Sequence, residues 1–153
     1  MLVTKVAFEP RYANAFKDLN VAWLEKFFFI EPKDEILLKY CKDSIIKPGG
    51  FIFLAKSDTD VVGCFSFIRI EENSYKLGKM AVHESYEGHS FGQQLMRFAI
   101  SFAKQQQWNK LILYSSSKLP AALHIYEKFG FAHVPLENDI QYTRSDVKME
   151  LDL

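Results

Sequence analysis

The stretch between Tyr75 and Ser115 constrains the fold more than any other part of the chain. A strand-like run over Tyr75–Val82 leads into a glycine-punctuated loop, an amphipathic segment that starts at Ser90, and a second apolar run over Asn109–Ser115. This order predicts strand, loop, helix and strand, and a crossover of this length pairs its two strands in parallel with a right-handed connection. We therefore expect an α/β fold that binds a ligand at the carboxyl ends of these strands.

The loop itself, Glu87-Gly88-His89-Ser90-Phe91-Gly92, has the features of an anion-binding site. Glycines allow backbone N–H groups to turn toward one point, and the helix that follows adds about half a positive charge at its N-terminus. Loops of this kind are also common in ordinary α/β turns, so the loop alone does not distinguish a phosphate site from a structural turn. The neighbouring motifs must decide between the two interpretations.

The rest of the chain alternates between strand-like and helix-like periodicity, and a hairpin precedes the crossover, so we expect a mixed sheet flanked by helices. The predicted strands are Leu2–Phe8, Phe51–Ala55, Val61–Glu71, Phe131–Val134 and Gln141–Leu153, and the predicted helices run from Pro10 to Phe28, from Asp34 to Tyr40, from Ser90 onward and from Pro120 to Phe129. Val61–Glu71 is apolar on both alternating faces in its first half, which is typical of a strand covered on both sides.

Composition narrows the classes of partner and compartment. The chain has 153 residues, 48% of them hydrophobic, which fits one domain over residues 1–153. Lys+Arg and Asp+Glu both number 19, so no basic field favours nucleic acid or a membrane surface, and we expect a small partner. No apolar run could span a bilayer, and Cys41 and Cys64 lack the spacing of a disulfide framework or metal site, which predicts a cytoplasmic protein with free thiols.

A second motif follows the crossover: Leu123-His124-Ile125-Tyr126-Glu127-Lys128-Phe129-Gly130-Phe131. Together with Lys79-Met80-Ala81-Val82 and the glycine loop, it makes the chain resemble the GNAT superfamily of N-acetyltransferases, with its Q/R-x-x-G-x-G/A loop and its YEKxGF-like helix ending. The resemblance implies a central twisted mixed sheet with splayed parallel strands and about four flanking helices. It also implies transfer of an acetyl group from acetyl-CoA, without a metal, to an amine of a small molecule or peptide.

The resemblance assigns roles to residues in both motifs. It implies that backbone groups of the strand bind the pantetheine arm of acetyl-CoA and that loop amides hold its pyrophosphate. The predicted cofactor-binding residues are Met80, Ala81, Val82, Glu87, Gly88, His89, Ser90, Phe91, Gly92, Gln93 and Ser116. Tyr126 matches the tyrosine that protonates the leaving thiolate, and a phenol with a pKa of about 10 can share its proton with a thiolate of similar basicity.

Two residues of the loop depart from the family pattern. Glu87 stands where Arg or Gln is usual, and its carboxylate would repel a pyrophosphate unless it points away. Ser90 replaces the middle glycine, and it either adds an unwanted Cβ or offers a hydroxyl to a phosphate oxygen. These departures leave a second hypothesis open, namely a non-catalytic module that binds or senses CoA. A different nucleotide-binding α/β protein is less well supported, because a Walker lysine and a full Gly-x-Gly-x-x-Gly are both absent.

The acceptor side is less defined by sequence. The family places the loop between the first two helices and the last strand around the acceptor, which implies Phe28, Glu31, Tyr142 and Arg144. Arg144 could hold a substrate carboxylate or pair within an edge strand. The general base stays open between Glu31 and the pair Glu71 and Glu72.

His83-Glu84 lacks the second histidine of a zinc motif. The family often dimerises, so a homodimer is a further expectation.

Overall fold

Seven strands form one mixed sheet in the computed structural model, which describes residues 4–88 and 90–153. The strands are β1 (Thr4–Ala7), β2 (Phe51–Ser57), β3 (Asp60–Glu71), β4 (Ser74–Val82), β5 (Lys110–Ser115), β6 (Ala132–Val134) and β7 (Val147–Asp152). Their spatial order is β1-β2-β3-β4-β5-β7-β6. The pairing of β4 with β5 is parallel, as the crossover predicts, and the other neighbours are antiparallel.

Four α-helices lie along this sheet in the described part of the chain: α1 (Ala13–Phe27), α2 (Pro32–Lys39), α3 (Phe91–Gln105) and α4 (Pro120–Lys128). Short 3-10 turns at Pro10–Tyr12 and Glu84–Tyr86 and a π-helical turn at Lys42–Ile46 complete the helical elements. The helix α2 begins two residues earlier than its periodicity predicts. Proline suits the first helical position, because that position needs no N–H donor and the ring presets its backbone angle.

The sheet separates two hydrophobic cores. On one face, Phe53, Phe65 and Phe67 pack against α3, where Phe91 and Leu95 are fully buried. On the other face, alternate residues of the same strands pack against α1 and α2, in a cluster that includes Phe16, Leu24, Ile52, Leu54 and Cys64. This two-sided burial confirms the prediction for the first half of β3. Burial of each large side chain stabilises the fold by about 1.5–3 kcal/mol, which holds the helices against the sheet and leaves β4 at its centre.

The predicted strand Gln141–Leu153 is wrong in its first half, because β7 begins only at Val147. Tyr142, Arg144 and Asp146 lie in the loop that precedes it. Their side chains bind elsewhere: the Arg144 guanidinium pairs with Asp34 on α2, and the Asp146 carboxylate accepts hydrogen bonds from Ser117. These long-range contacts hold the segment out of the sheet. Leu2 and Val3, which begin the first predicted strand, lie outside the described residues.

No helix in the described segments combines the length and the apolar composition needed to cross a membrane.

Candidate active site

The strands β4 and β5 separate after a short parallel contact. Their registered pairs end at Lys76 opposite Ile112, whereas β4 continues to Val82 and stays paired with β3 on its other side. The edge of β4 that faces β5 therefore has no strand partner from Leu77 onward. Main-chain N–H and C=O groups on such an edge need hydrogen-bond partners. Backbone groups alternate between the two edges of a strand, and His83 donates its N–H to Val62 of β3. The backbone groups of Val82, and of Met80 on the same edge, therefore face the space between the strands, where the family resemblance implies pantetheine binding. Ala81, predicted to bind there too, instead directs its backbone groups to β3, where it is paired with Cys64.

A β-bulge lies at the point where the strands separate. Between the pairs Cys64–Ala81 and Ser66–Gly78, one residue of β3 faces two residues of β4. Lys79 accommodates the extra residue with a left-handed backbone, at a φ of 51°. Bulges bend a strand and redirect its side chains. Here the Lys79 side chain reaches α2, where its Nζ lies 2.6 Å from Asp34 Oδ1.

The separated strands open into a cavity of about 790 Å³. Its walls come from β4, β5, the C-terminal end of α1, the start of α4 and the loop before β7. Of the residues predicted from sequence, it is lined by Phe28, Met80, Ala81, Val82, Glu87, Gly92, Ser116, Tyr126, Tyr142 and Arg144. The lining does not include Glu31, Gly88, Ser90, Phe91 or Gln93, and His89 lies outside the described residues. The fold thus gathers residues from both predicted motifs around one space.

The glycine loop meets the N-terminus of α3 beside this cavity. Gly88 and Ser90 both adopt left-handed backbone conformations, with φ of 81° and 61°. A Cβ built on Gly88 or on Gly92 would meet no atom within 4 Å, so there is open space beside the main chain at both positions. Helix geometry leaves the first N–H groups of α3 without intrahelical acceptors. The loop and helix terminus therefore fit an anion held by backbone amides.

The two unusual side chains next to this terminus have different surroundings. The Glu87 carboxylate pairs with Lys26 of α1 at 3.1 Å, and both side chains are exposed. This pairing balances the negative charge that the sequence places in the loop. Ser90 is exposed and makes no capping hydrogen bond to α3, so its hydroxyl does not explain its strained backbone. Phe91 is buried in the core, and only its main chain is available to a ligand.

Tyr126 lies on α4 and lines the cavity that β4 borders. Its ring is half-buried, with its centroid 6.2 Å from that of Phe131. Burial raises the pKa of the Tyr126 phenol, because the anion would lose hydration. The hydroxyl is therefore protonated at neutral pH and can donate a proton or hydrogen bond to a group in the cavity.

The loop between β5 and α4 is held by hydrogen bonds that set the start of α4. The Ser116 hydroxyl accepts from the Lys118 N–H at 3.1 Å, and the Asp146 carboxylate accepts from the Ser117 N–H at 2.8 Å. Ser116 is buried and lines the cavity. Its side chain thus supports the turn into the helix that carries Tyr126.

A buried ionic network lies at the other end of the cavity, around Asp34. Arg144 donates two hydrogen bonds of 2.8 Å to the two Asp34 oxygens, and Lys79 donates a third. The Asp34 side chain is fully buried. Burial by itself would raise the pKa of Asp34, but the hydrogen bonds from Arg144 and Lys79 outweigh it and lower that pKa to about 2. Asp34 therefore carries a permanent negative charge that joins α2, β4 and the loop before β7.

Glu31 belongs to the same network. Its carboxylate accepts from the Thr143 N–H at 3.0 Å and from Arg144 at 3.1 Å, and the residue is only 7% exposed. The Glu31 carboxylate therefore binds the loop before β7, which argues against its predicted alternative role as general base. Glu71 and Glu72 are exposed at the turn between β3 and β4, and neither lines the cavity. The Arg144 guanidinium is already paired with Asp34 and Glu31, so it is poorly placed to bind a substrate carboxylate in bidentate geometry.

Sequence reasoning did not identify Asp34, Lys76 and Lys79 as site residues. The sequence does contain a signal for Lys76 and Lys79, because both lie on a central strand that is otherwise largely apolar. A lysine side chain is seldom buried in such a strand without a partner. Asp34 has the sequence context of an ordinary helix N-terminus, where its carboxylate accepts from the Glu31 N–H at 2.9 Å. Across the two described segments, no group of three or more His, Cys, Asp or Glu side chains is arranged to hold a metal ion.

Known proteins resemble this chain in sequence and in fold. N-acetylaspartate synthetase from Mus musculus is 31% identical over 88 residues, which is 57% of this chain and 29% of that protein. The chain thus spans less than a third of the length of this curated relative. An acetyltransferase of the GNAT family from Staphylococcus aureus has a TM-score of 0.85 at 19% identity, covering 99% of each chain. An acetyltransferase from Bacillus subtilis, in complex with CoA, has a TM-score of 0.75 at 20% identity, covering 99% of each chain.

The two structural comparisons establish the fold, and the sequence establishes the family. The sequence model that describes the acetyltransferase (GNAT) family matches residues 14–131 of this chain, which include the bulged strand, the glycine loop and Tyr126. The splayed parallel strands and the order of helices agree with that match. The chain belongs to the GNAT family of acetyltransferases.

Proposed function

We propose that this protein is an N-acetyltransferase that moves the acetyl group of acetyl-CoA to the amine of a small molecule. The unpaired edge of β4, which faces a cavity also lined by Tyr126, is the observation that supports the proposal most directly. The edge supplies backbone hydrogen bonds for an extended substrate arm, and the phenol supplies a proton. Family membership supports the same chemistry.

Acetyl-CoA fits the donor end of the cavity. Main-chain groups of Met80 and Val82 would bind the pantetheine arm, which needs amide partners of the kind an open strand edge offers. The amides from Gly88 to Gln93 would hold the pyrophosphate at the start of α3. Space beside Gly88 and Gly92 leaves the main chain accessible there.

The chemistry is a direct transfer. The amine nitrogen attacks the thioester carbon, the carbon–sulfur bond breaks, and the Tyr126 hydroxyl protonates the departing thiolate. The proton lost by the nitrogen passes through water to the Tyr126 phenolate, which restores the phenol. A phenol kept neutral by burial is suited to this role, because it has a proton to give and no charge to repel the thiolate.

The acceptor is proposed only as a class. The curated relatives are N-acetylaspartate synthetases, whose name describes an acetylated amino acid. Aspartate therefore belongs in the first panel of amines to be assayed, together with other amino acids, polyamines and a short peptide.

Replacement of the proposed acid tests the function. Tyr126→Phe should lower turnover by about 100-fold or more, the usual size of a general-acid contribution, while acetyl-CoA affinity in calorimetry stays unchanged. Tyr114→Phe is a matched control, because Tyr114 also lines the cavity but donates its hydroxyl to Glu137 at 2.7 Å. Equal losses of turnover and affinity in Tyr126→Phe, or no loss, would contradict the assignment. Binding of acetyl-CoA without turnover of any amine would favour the CoA-binding module instead.

A further inference from the structure

Lys76 is a cation on β4 that lacks a carboxylate partner. Its Nζ donates to the Gln141 side-chain oxygen at 3.3 Å and lies 5.8 Å from the centre of the Tyr114 ring. Among the described residues, no carboxylate oxygen lies within 4.0 Å of this nitrogen, although Lys76 lines the cavity and is half-buried. A buried charge without a counter-ion is costly, so this lysine is a candidate for binding an anion that enters the cavity.

The charges around Lys76 strengthen this point. Lys79 and Arg144 are neutralised by Asp34 and Glu31, which leaves Lys76 as the uncompensated positive charge of this cluster. Burial and the nearby cations Lys79, Lys33 and Arg144 lower the pKa of Lys76 to about 8.

A second polar group is unsatisfied in the same cavity. Tyr142 is only 8% exposed and lines the cavity, and its hydroxyl is buried without a hydrogen-bond partner. Its ring is held between two cations, with Lys79 Nζ 4.7 Å and Arg144 Cζ 4.2 Å from the ring centre. Burial raises the pKa of Tyr142 to about 12, so the hydroxyl is a stable donor. A buried donor without an acceptor costs about 1–3 kcal/mol, which a ligand oxygen would relieve.

We propose that Lys76 and the Tyr142 hydroxyl bind the carboxylate of the acceptor, so that the acceptor is a small amino acid and not a polyamine. The inference rests on the proposed transfer of acetyl to an amine. Gln141, which accepts a hydrogen bond from Lys76, directly precedes Tyr142, so the loop before β7 brings Tyr142 to the part of β4 that carries Lys76. Lys76 supplies the charge and Tyr142 supplies a directional hydrogen bond.

Paired acceptors test the proposal in the 153-residue chain. Each amino acid of a panel that includes aspartate and alanine is compared with its α-carboxamide and with spermidine, with acetyl-CoA as donor. We expect the carboxylates to be preferred. Lys76→Gln should lower kcat/KM for them by about 10- to 100-fold, mainly through KM, and leave the carboxamides unchanged. Lys33→Gln is the matched control. Lys33 is an exposed cation whose charge lowers the pKa of Lys76, but it does not line the cavity.

A second variant separates a ligand role from a structural one. Tyr142→Phe removes an unsatisfied hydroxyl, so its stability should be unchanged or higher, while kcat/KM for carboxylate acceptors falls. Preference for spermidine or the carboxamides would overturn the proposal, and so would an equal loss for both acceptor types in Lys76→Gln. A loss of acetyl-CoA affinity in Lys76→Gln would also overturn it, because Lys76 would then belong to the donor end.

Binding measurements keep this inference distinct from the proposed function. In the presence of CoA, calorimetry with an amino acid and its carboxamide reports carboxylate recognition without turnover. Carboxylate binding that Lys76→Gln abolishes supports the subsite even if no amine is acetylated, in which case the proposed function alone fails. Equal binding of carboxylate and carboxamide by the unmodified protein would contradict the subsite.

Discussion

The donor end and the acceptor end of the cavity differ in how they are built. The proposed donor end comes from one stretch of the chain, with described residues 80–88 and 90–93, and offers mainly backbone groups. The acceptor end comes from three separate segments, residues 31–34, 76–79 and 141–145, and depends on charged side chains. A backbone site tolerates side-chain changes, whereas an ionic network does not. The difference explains why a short motif predicts the cosubstrate while the acceptor requires the assembled fold.

The largest expected effect is on the acceptor end. Asp34→Asn should lower the free energy of unfolding by about 3–5 kcal/mol, because Lys79 and Arg144 remain buried without their shared counter-ion. Urea denaturation at neutral pH measures the change. The matched control is Asp43→Asn, whose pair with Lys47 is exposed to solvent and should therefore change the free energy of unfolding far less. Similar losses in the two variants would mean that the network does not hold the acceptor end together.

Acid titration sharpens the same contrast. The folded-state pKa of Asp34 lies at about 2, below the ordinary value of 3.8, so its stabilisation is complete above pH 3.8 and disappears as the pH falls toward 2. The linked contribution is about 2 kcal/mol, from 1.36 kcal/mol per unit of pKa. Unfolding curves between pH 5 and pH 2 should show this loss in the unmodified protein and a smaller loss in Asp34→Asn. Parallel curves for the two proteins would contradict the assignment.

At the donor end, a change confined to the backbone should improve the site. Ser90 has a left-handed φ of 61°, which costs a residue with a Cβ about 1–2 kcal/mol. Ser90→Gly should raise stability by about 0.5–1 kcal/mol after the entropy cost of glycine, and we expect it to tighten acetyl-CoA. Thermal unfolding and calorimetry measure the two effects. Ser90→Ala is the control: weaker binding in both variants would show that the serine hydroxyl contacts the phosphate.

The smallest effect is expected at Glu87. Its carboxylate is exposed and paired with Lys26, so its repulsion of a pyrophosphate is screened. Glu87→Gln should tighten acetyl-CoA by only about twofold, in proportion to the small energies of exposed charge pairs. Lys26→Met, which leaves Glu87 unpaired, should weaken binding by a similar factor. The measurement is the acetyl-CoA dissociation constant of each protein at low and high salt. The difference between each variant and the unmodified protein should vanish at high salt, because salt screens exposed charges.

The sequence predicted the elements around the proposed donor end well because their signals are local. The strand over Tyr75–Val82, the glycine loop, the helix from Ser90 and the following strand all form where periodicity places them, and β4 and β5 pair in parallel. The sequence failed at the segment before β7, which reads as a strand. Tyr142 and Arg144 lie in a loop instead, because Arg144 bonds to Asp34, a residue 110 positions earlier in the chain. Local propensity contains no information about such a partner.

What the sequence by itself determined is the family and the order of elements, and it indicated the stretch that we propose binds the cosubstrate, since these depend on periodicity and on glycines close together in the chain. Only the tertiary structure decided which charges neutralise one another. It pairs Asp34 with Lys79 and Arg144, commits Glu31 to the loop, and leaves Lys76 and the Tyr142 hydroxyl without partners among the described residues. The physical reason is that burial and charge pairing depend on distances in space between residues that are far apart along the chain.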